Sequence, residues 1–151
     1  MKHIWSVLCL NSIIDKETNN LSIFNILEKL TIESDTQKFN LNGERRIVPI
    51  QYELITLWNR GAKNLKEEKA ETRTEMWGPD NKLLQETTEQ VVIAKEHRAT
   101  RIVRKFNGFP IIDQQGEYVF KIKIKEGSSS DFKIIAEIPV EIVINLRHTT
   151  K

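Results

Sequence analysis

The stretch from Gly116 to Leu146 constrains this chain more than any other, because both of its halves obey one alternation. In the first half Tyr118, Phe120, Ile122 and Ile124 alternate with Glu117, Lys121, Lys123 and Lys125, the period-two signature of a strand with one dry face. In the second half Ile134, Ala136, Ile138, Val140, Ile142, Ile144 and Leu146 share one parity, and Lys133, Glu137, Pro139, Glu141 and Asn145 fall mostly on the other. Glu126-Gly-Ser-Ser-Ser-Asp131 between them is a loop composition, with Gly127 free to take positive φ and the serines and Asp131 able to bond their own backbone. The pattern predicts a long β-hairpin forming one wall of a core. In the expected register Lys125 faces Lys133 and Lys121 meets Glu137 across the strands.

The rest of the chain is consistent with more strands of the same kind. Near the start, Ile4, Ser6, Leu8 and Leu10 alternate with His3, Trp5, Val7 and Cys9, so both faces are largely apolar and the strand reads as central or covered on both sides. Asp15 to Asn20 is a polar turn. A second strand is expected from Leu21 to Ile32, although Asn25 to Leu30 also fits one helical turn. A third runs from Ile47 to Trp58, with Ile50, Tyr52, Leu54 and Trp58 on one parity, and Gly61 centres the turn that follows. A fourth, Glu68 to Trp77, alternates Ala70, Thr72, Thr74 and Met76 with Glu71, Arg73 and Glu75, polar enough for an edge. Gly78-Pro-Asp-Asn81 is a turn signal that should join two hairpin arms. Leu83 to Phe106 is the least patterned part. Its Thr, Val and Ile content favours two strands broken near Lys95-Glu96 over a helix. Asn107-Gly108 with Pro110, then Asp113 to Gly116, mark further turns.

About eight strands in 151 residues, with no alternation of helix and strand, predict a single antiparallel β-sandwich domain over residues 1–151. Immunoglobulin-like and C2-like sandwiches both fit, and a jelly roll reads much the same. One detail leans immunoglobulin-like: Gly116-Glu-Tyr-Val-Phe120 is similar to a tyrosine corner, in which a tyrosine near the start of a late strand bonds back to nearby backbone. Phe120 then stands where antibody domains carry a cysteine.

Trp5 and Cys9, Asp15 with Thr18-Asn19, Ser22, Phe24, Leu27-Glu28, Trp58, Gly108 with Pro110, and Gly116-x-Tyr118-x-Phe120 together give a resemblance spanning nearly the whole chain. The chain resembles a family of small bacterial all-β proteins known only as a domain of unknown function. That resemblance implies a fold and brings no catalytic or binding residues with it.

Composition narrows the function classes. With 23 basic against 21 acidic residues the net charge is +2, far from the basic excess of a dedicated polyanion binder. The lone cysteine, Cys9, excludes an internal disulfide and reads as a small buried hydrophobe. The N-terminal apolar run is too short for a signal, and no run reaches ~18 apolar residues. A cytoplasmic location without membrane contact is the expectation.

No metal, cofactor or catalytic site is expected. His3 and Cys9 lie ~20 Å apart along one strand at ~3.3 Å per residue, and no nucleophile elbow, phosphate loop or metal-ligand spacing occurs. Asp15, Asp35, Asp80, Asp113 and Asp131 all fall in expected loops, where the turn preference of aspartate accounts for them better than calcium does. Two binding readings stay open. Trp77, at the end of the polar fourth strand, is the aromatic most apt to touch a partner, which would be an unknown protein or a second copy. Arg98, Arg101, Arg104 and Lys105 form a basic strand able to contact nucleic acid. Strand parity puts Arg98 and Arg104 opposite Arg101 and Lys105, so a protein partner is favoured.

Overall fold

A computed structural model describes residues 1–35, 45–61, 66–112, 114–127 and 131–147. Among the described residues nine strands carry the fold: β1 (Lys2–Ile14), β2 (Leu21–Ile26), β3 (Lys29–Asp35), β4 (Arg45–Asn59), β5 (Glu68–Trp77), β6 (Leu83–Ile93), β7 (Ala99–Ile112), β8 (Gly116–Glu126) and β9 (Lys133–Arg147). They form two facing sheets, a four-stranded one in the order β2-β1-β4-β7 and a five-stranded one in the order β3-β9-β8-β5-β6. The fold is a β-sandwich. Every pairing is antiparallel except β3 with β9, which is parallel. Among the described residues no helix is long and apolar enough to cross a membrane.

The expected hairpin is β8 and β9. Tyr118, Phe120, Ile122, Ile124, Val140 and Ile142 are buried on its inner face, and Lys121 opposes Glu137 as the charges require. Near the loop the register differs from expectation. A bulge at Ile135 places Ile124, not Lys125, opposite Lys133, so Ile135 packs on the core while Ile134 is 52% exposed. One extra residue reverses a strand's parity on one side of the bulge. Leu146 also ends up exposed, close to the end of β9.

The expected second strand is in fact two. Asn25 takes a left-handed φ of 54° and β2 ends one residue later. Leu27 then plugs the core, its N–H donating to the Leu8 carbonyl, and the Glu28 carbonyl accepts the Glu141 N–H. Those two bonds, one to each sheet, carry the chain across the sandwich. A second bulge replaces the turn expected at Asn107-Gly108 and Pro110. Here β7 continues to Ile112, and its ladder with β4 shifts between Val48 and Gln51. Gly108 supplies the required φ of 86°, so Phe106 and Phe109, three residues apart, both reach the core.

That core is aromatic at its centre. Tyr52 stacks on Phe106 at 4.8 Å between ring centroids, and Phe120 meets Phe109 edge-on at 5.9 Å. Tyr118 closes the β7–β8 connection as a tyrosine corner should. Its hydroxyl accepts the Ile112 N–H at 3.2 Å and has the carbonyls of Ile112 and Gln114 at 3.0 and 2.8 Å as acceptors. Asp113, the first residue of the turn expected before this strand, lies outside the described residues.

Candidate functional site

Strand β5, expected at an edge, lies inside its sheet between β8 and β6. Its polar outward row is neutralised by neighbours rather than by water. Glu71 pairs with Lys125 at 3.0 Å, Glu75 with Lys123 at 2.6 Å, and Arg73 with Glu86 at 3.6 Å. Lys121 pairs with Glu137 at 3.7 Å on the adjoining strands. Burial pushes the Glu75 carboxyl upward, but hydrogen bonds from Lys123 and Trp77 and the Lys123 and Arg73 charges outweigh it and hold the pKa below the usual carboxylate value.

Trp77 closes this ladder and is partly buried. Its indole N–H donates to Glu75 at 2.8 Å, and the Lys121 ammonium sits 5.1 Å from the ring centroid, so both its polar edge and one face are engaged. A cleft of about 390 Å³ adjoins it, lined by Pro79, Glu117, Val119 and Glu137 among others.

The basic residues are not gathered on one face. Arg98 is exposed in the β6–β7 turn. Arg101 donates to the Asn19 carbonyl at 3.0 Å, which ties β7 to the β1–β2 turn. Arg104 turns the other way and bridges the mouth of the sandwich to Thr87 and Glu89 on β6. Lys105 is paired with Glu53 at 3.4 Å, and Glu53 also accepts from the Ser12 hydroxyl. Three of these four side chains serve as ties between elements.

Cys9 is buried with no exposure, and Trp58 is core, but Trp5 lies on the outer parity and is only half-buried. Asp15 and Asp80 each accept hydrogen bonds from their own turns, which lowers both pKa values. Among the described residues no group of three His, Cys, Asp or Glu side chains gathers as metal ligands would. His148 and Asp113 lie outside the described residues.

The feature that composition did not reveal is the uneven protection of the four sheet edges. β3 carries Lys29 and Glu33, β6 carries Glu86 and Glu89, and β7 carries Arg101, Arg104, Lys105 and Pro110. Charges and proline are how natural sheets discourage edge pairing. β2, Leu21-Ser-Ile-Phe-Asn-Ile26, has neither. Phe24 and Ile26 are 45% and 59% exposed, and Ile13 of β1, opposite Ser22, is 57% exposed on the same face. The signal was present in the sequence as six consecutive residues without a charge. What could not be read was that the segment lies at an edge.

Beside the end of β2 lies a cleft of about 400 Å³. Its wall on the first sheet is Ser6, Val7, Leu8, Ile26 and Leu27, and Ile138 and Pro139 of β9 face them. Glu28, Glu117 and Glu141 form its rim. The Ser6 hydroxyl is held by His3 Nε2 at 2.6 Å. The same imidazole packs edge-on against Trp58, and burial lowers its pKa against the opposing effect of a hydrogen bond to the Trp5 backbone.

No family model matches this chain, and no curated protein matches it. Among solved structures, the C-terminal domain of wzt is similar at 12% identity with a TM-score of 0.38, over 72% of this chain and 82% of that one. A likeness that distant carries no functional argument.

Proposed function

We propose that this domain is a non-catalytic protein-binding module, acting in the cytoplasm, that takes an extended segment of another protein, or of a second copy, onto the β2 edge. The observation behind this is the charge-free, apolar character of β2 beside three edges protected by charge. Strand addition supplies main-chain hydrogen bonds for affinity and side-chain pockets for selectivity.

The register identifies which groups are offered. Leu27 N–H donates to Leu8, so alternation along the antiparallel ladder points Asn25, Ile23 and Leu21 toward β1 and leaves the main-chain groups of Ser22, Phe24 and Ile26 facing outward. Trp77 is a secondary contact candidate through the cleft beside it. The nucleic-acid reading is weaker, because Arg101, Arg104 and Lys105 are already engaged within the domain.

The test is a pull-down at low and high salt with the wild type and Phe24→Lys, together with sedimentation velocity on both. A protein, or a second copy, that is held at high salt and lost in Phe24→Lys supports the reading. Retention of nucleic acid only, at low salt, would move the assignment to the basic strand. Retention undiminished by Phe24→Lys would remove β2 from the interface.

A further inference from the structure

The β1 strand is twice as long as its partner β2, and the difference has a location. β1 pairs with β4 from Lys2 to Cys9 but with β2 only from Cys9 to Ile14, with one further bond at Leu8. Because Leu8 offers its main chain to the β2 side, alternation turns Ser6 the same way, as far as the bulge between His3 and Trp5. Among the described residues no strand pairs with Ser6 there. The line of the sheet that β2 occupies thus continues, without a strand, alongside Ser6 and Val7. The cleft of about 400 Å³ lies along that line, within the ~300–1,000 Å³ range of ligand pockets.

The cleft also has a sign. Glu28, Glu117 and Glu141 rim it, Glu117 stands directly opposite Glu141 in the β8–β9 ladder, and Lys29, 3.2 Å from Glu141, is the cation paired at the rim. Like charges directly opposite each other destabilise a strand pair. Elsewhere on the same sheet carboxylates are matched to cations, as in Glu71–Lys125, Glu75–Lys123 and Glu137–Lys121, and where Glu75 stands opposite Glu86 the latter is paired with Arg73. The rim departs from that pattern at the point where the floor is apolar and main-chain groups are open.

We propose that this cleft is the specificity pocket of the module: an extended segment of a partner protein pairs with the Ser6 main chain in continuation of β2 and sets a lysine or arginine among Glu28, Glu117 and Glu141. The apolar wall of Val7, Leu8, Leu27 and Ile138 accepts the methylene stem of such a side chain while the carboxylates meet its charged end. The inference rests on the reading of the domain as a binder of extended segments. It adds a second stretch of open main chain, on β1 beyond the end of β2, and names the anchoring residue that stretch would take.

The experiment uses labelled, terminally blocked eight-residue peptides of alternating threonine and valine with lysine, glutamate or alanine at one central position, read by fluorescence anisotropy and by amide hydrogen exchange of the bound domain. The lysine peptide should bind at least about tenfold tighter than the glutamate peptide, consistent with a charge-assisted contact. Glu28→Gln with Glu117→Gln should remove that preference, and binding should slow exchange at Ser6. Equal affinity for the three peptides, or no binding of any, overturns the proposal. Protection at Ser22 and Phe24 instead of Ser6 overturns it too, while leaving β2 as a binding edge. Loss of a pulled-down partner in Phe24→Lys reports separately on that edge.

Discussion

Two tyrosines buried in one core should respond with opposite signs to the same deletion. Tyr118→Phe removes a hydroxyl that accepts the Ile112 N–H and has two backbone carbonyls as acceptors. Ile112 is buried, so its N–H is left without a partner. An orphaned buried donor costs about 1–3 kcal/mol, and the donated bond lost with it adds about 0.5–1.5 kcal/mol. The expected destabilisation is therefore about 1.5–4.5 kcal/mol, a fall in Tm of roughly 3–18 °C at ~2–4 °C per kcal/mol. Tyr52→Phe removes a hydroxyl that is equally buried but has no hydrogen-bond partner among the described residues, and burial pushes that phenol's pKa upward. Deleting an unpaired polar atom from an apolar site should leave stability unchanged or raise it by up to about 2 kcal/mol. Urea unfolding of wild type and both variants, with m held common, separates the two. Equal destabilisation by both substitutions would refute the reasoning, since it would mean that ring packing, not hydrogen bonding, sets the response.

Gly108→Ala should cost at least about 1–2 kcal/mol in thermal denaturation, because φ is 86° and the new Cβ would sit 2.3 Å from Ile47 Cγ2; a neutral result would show that the bulge relaxes. Glu75→Gln should destabilise at neutral pH. The folded carboxyl is depressed, so its contribution is present above the unfolded value of ~4.5 and lost as pH falls through the folded one. The gap between wild type and variant should accordingly narrow in urea titrations as pH falls from 4.5 through the folded value, and a gap that stays constant over that fall would contradict the charge pairing. Cys9 is fully buried, and burial first, with the Glu53 charge second, raises its thiol pKa against a backbone hydrogen bond from Asn11. Its labelling by a thiol reagent should follow the unfolding rate, and rapid labelling of the native protein would disprove that burial.

The sequence by itself determined the class of fold, since strand alternation depends only on which residues prefer to be dry. It located the β8–β9 hairpin, the Gly78–Asn81 turn, the break near Lys95 and the tyrosine corner at Tyr118. What only the tertiary structure decided was adjacency. β5 looked like an edge because Glu71 and Glu75 are polar, and the lysines that neutralise them are about fifty residues away in β8. Arg104 read as part of a basic strand open to a ligand until β6 brought Glu89 to it. Bulges at Ile135 and, on β4, opposite Gly108 shift register through pairing with another strand, which local composition does not encode. The cleft beside Ser6 is the clearest case. It exists because β2 is shorter than β1 and because β9 carries Pro139 and Glu141 past the gap, and no single segment contains both facts.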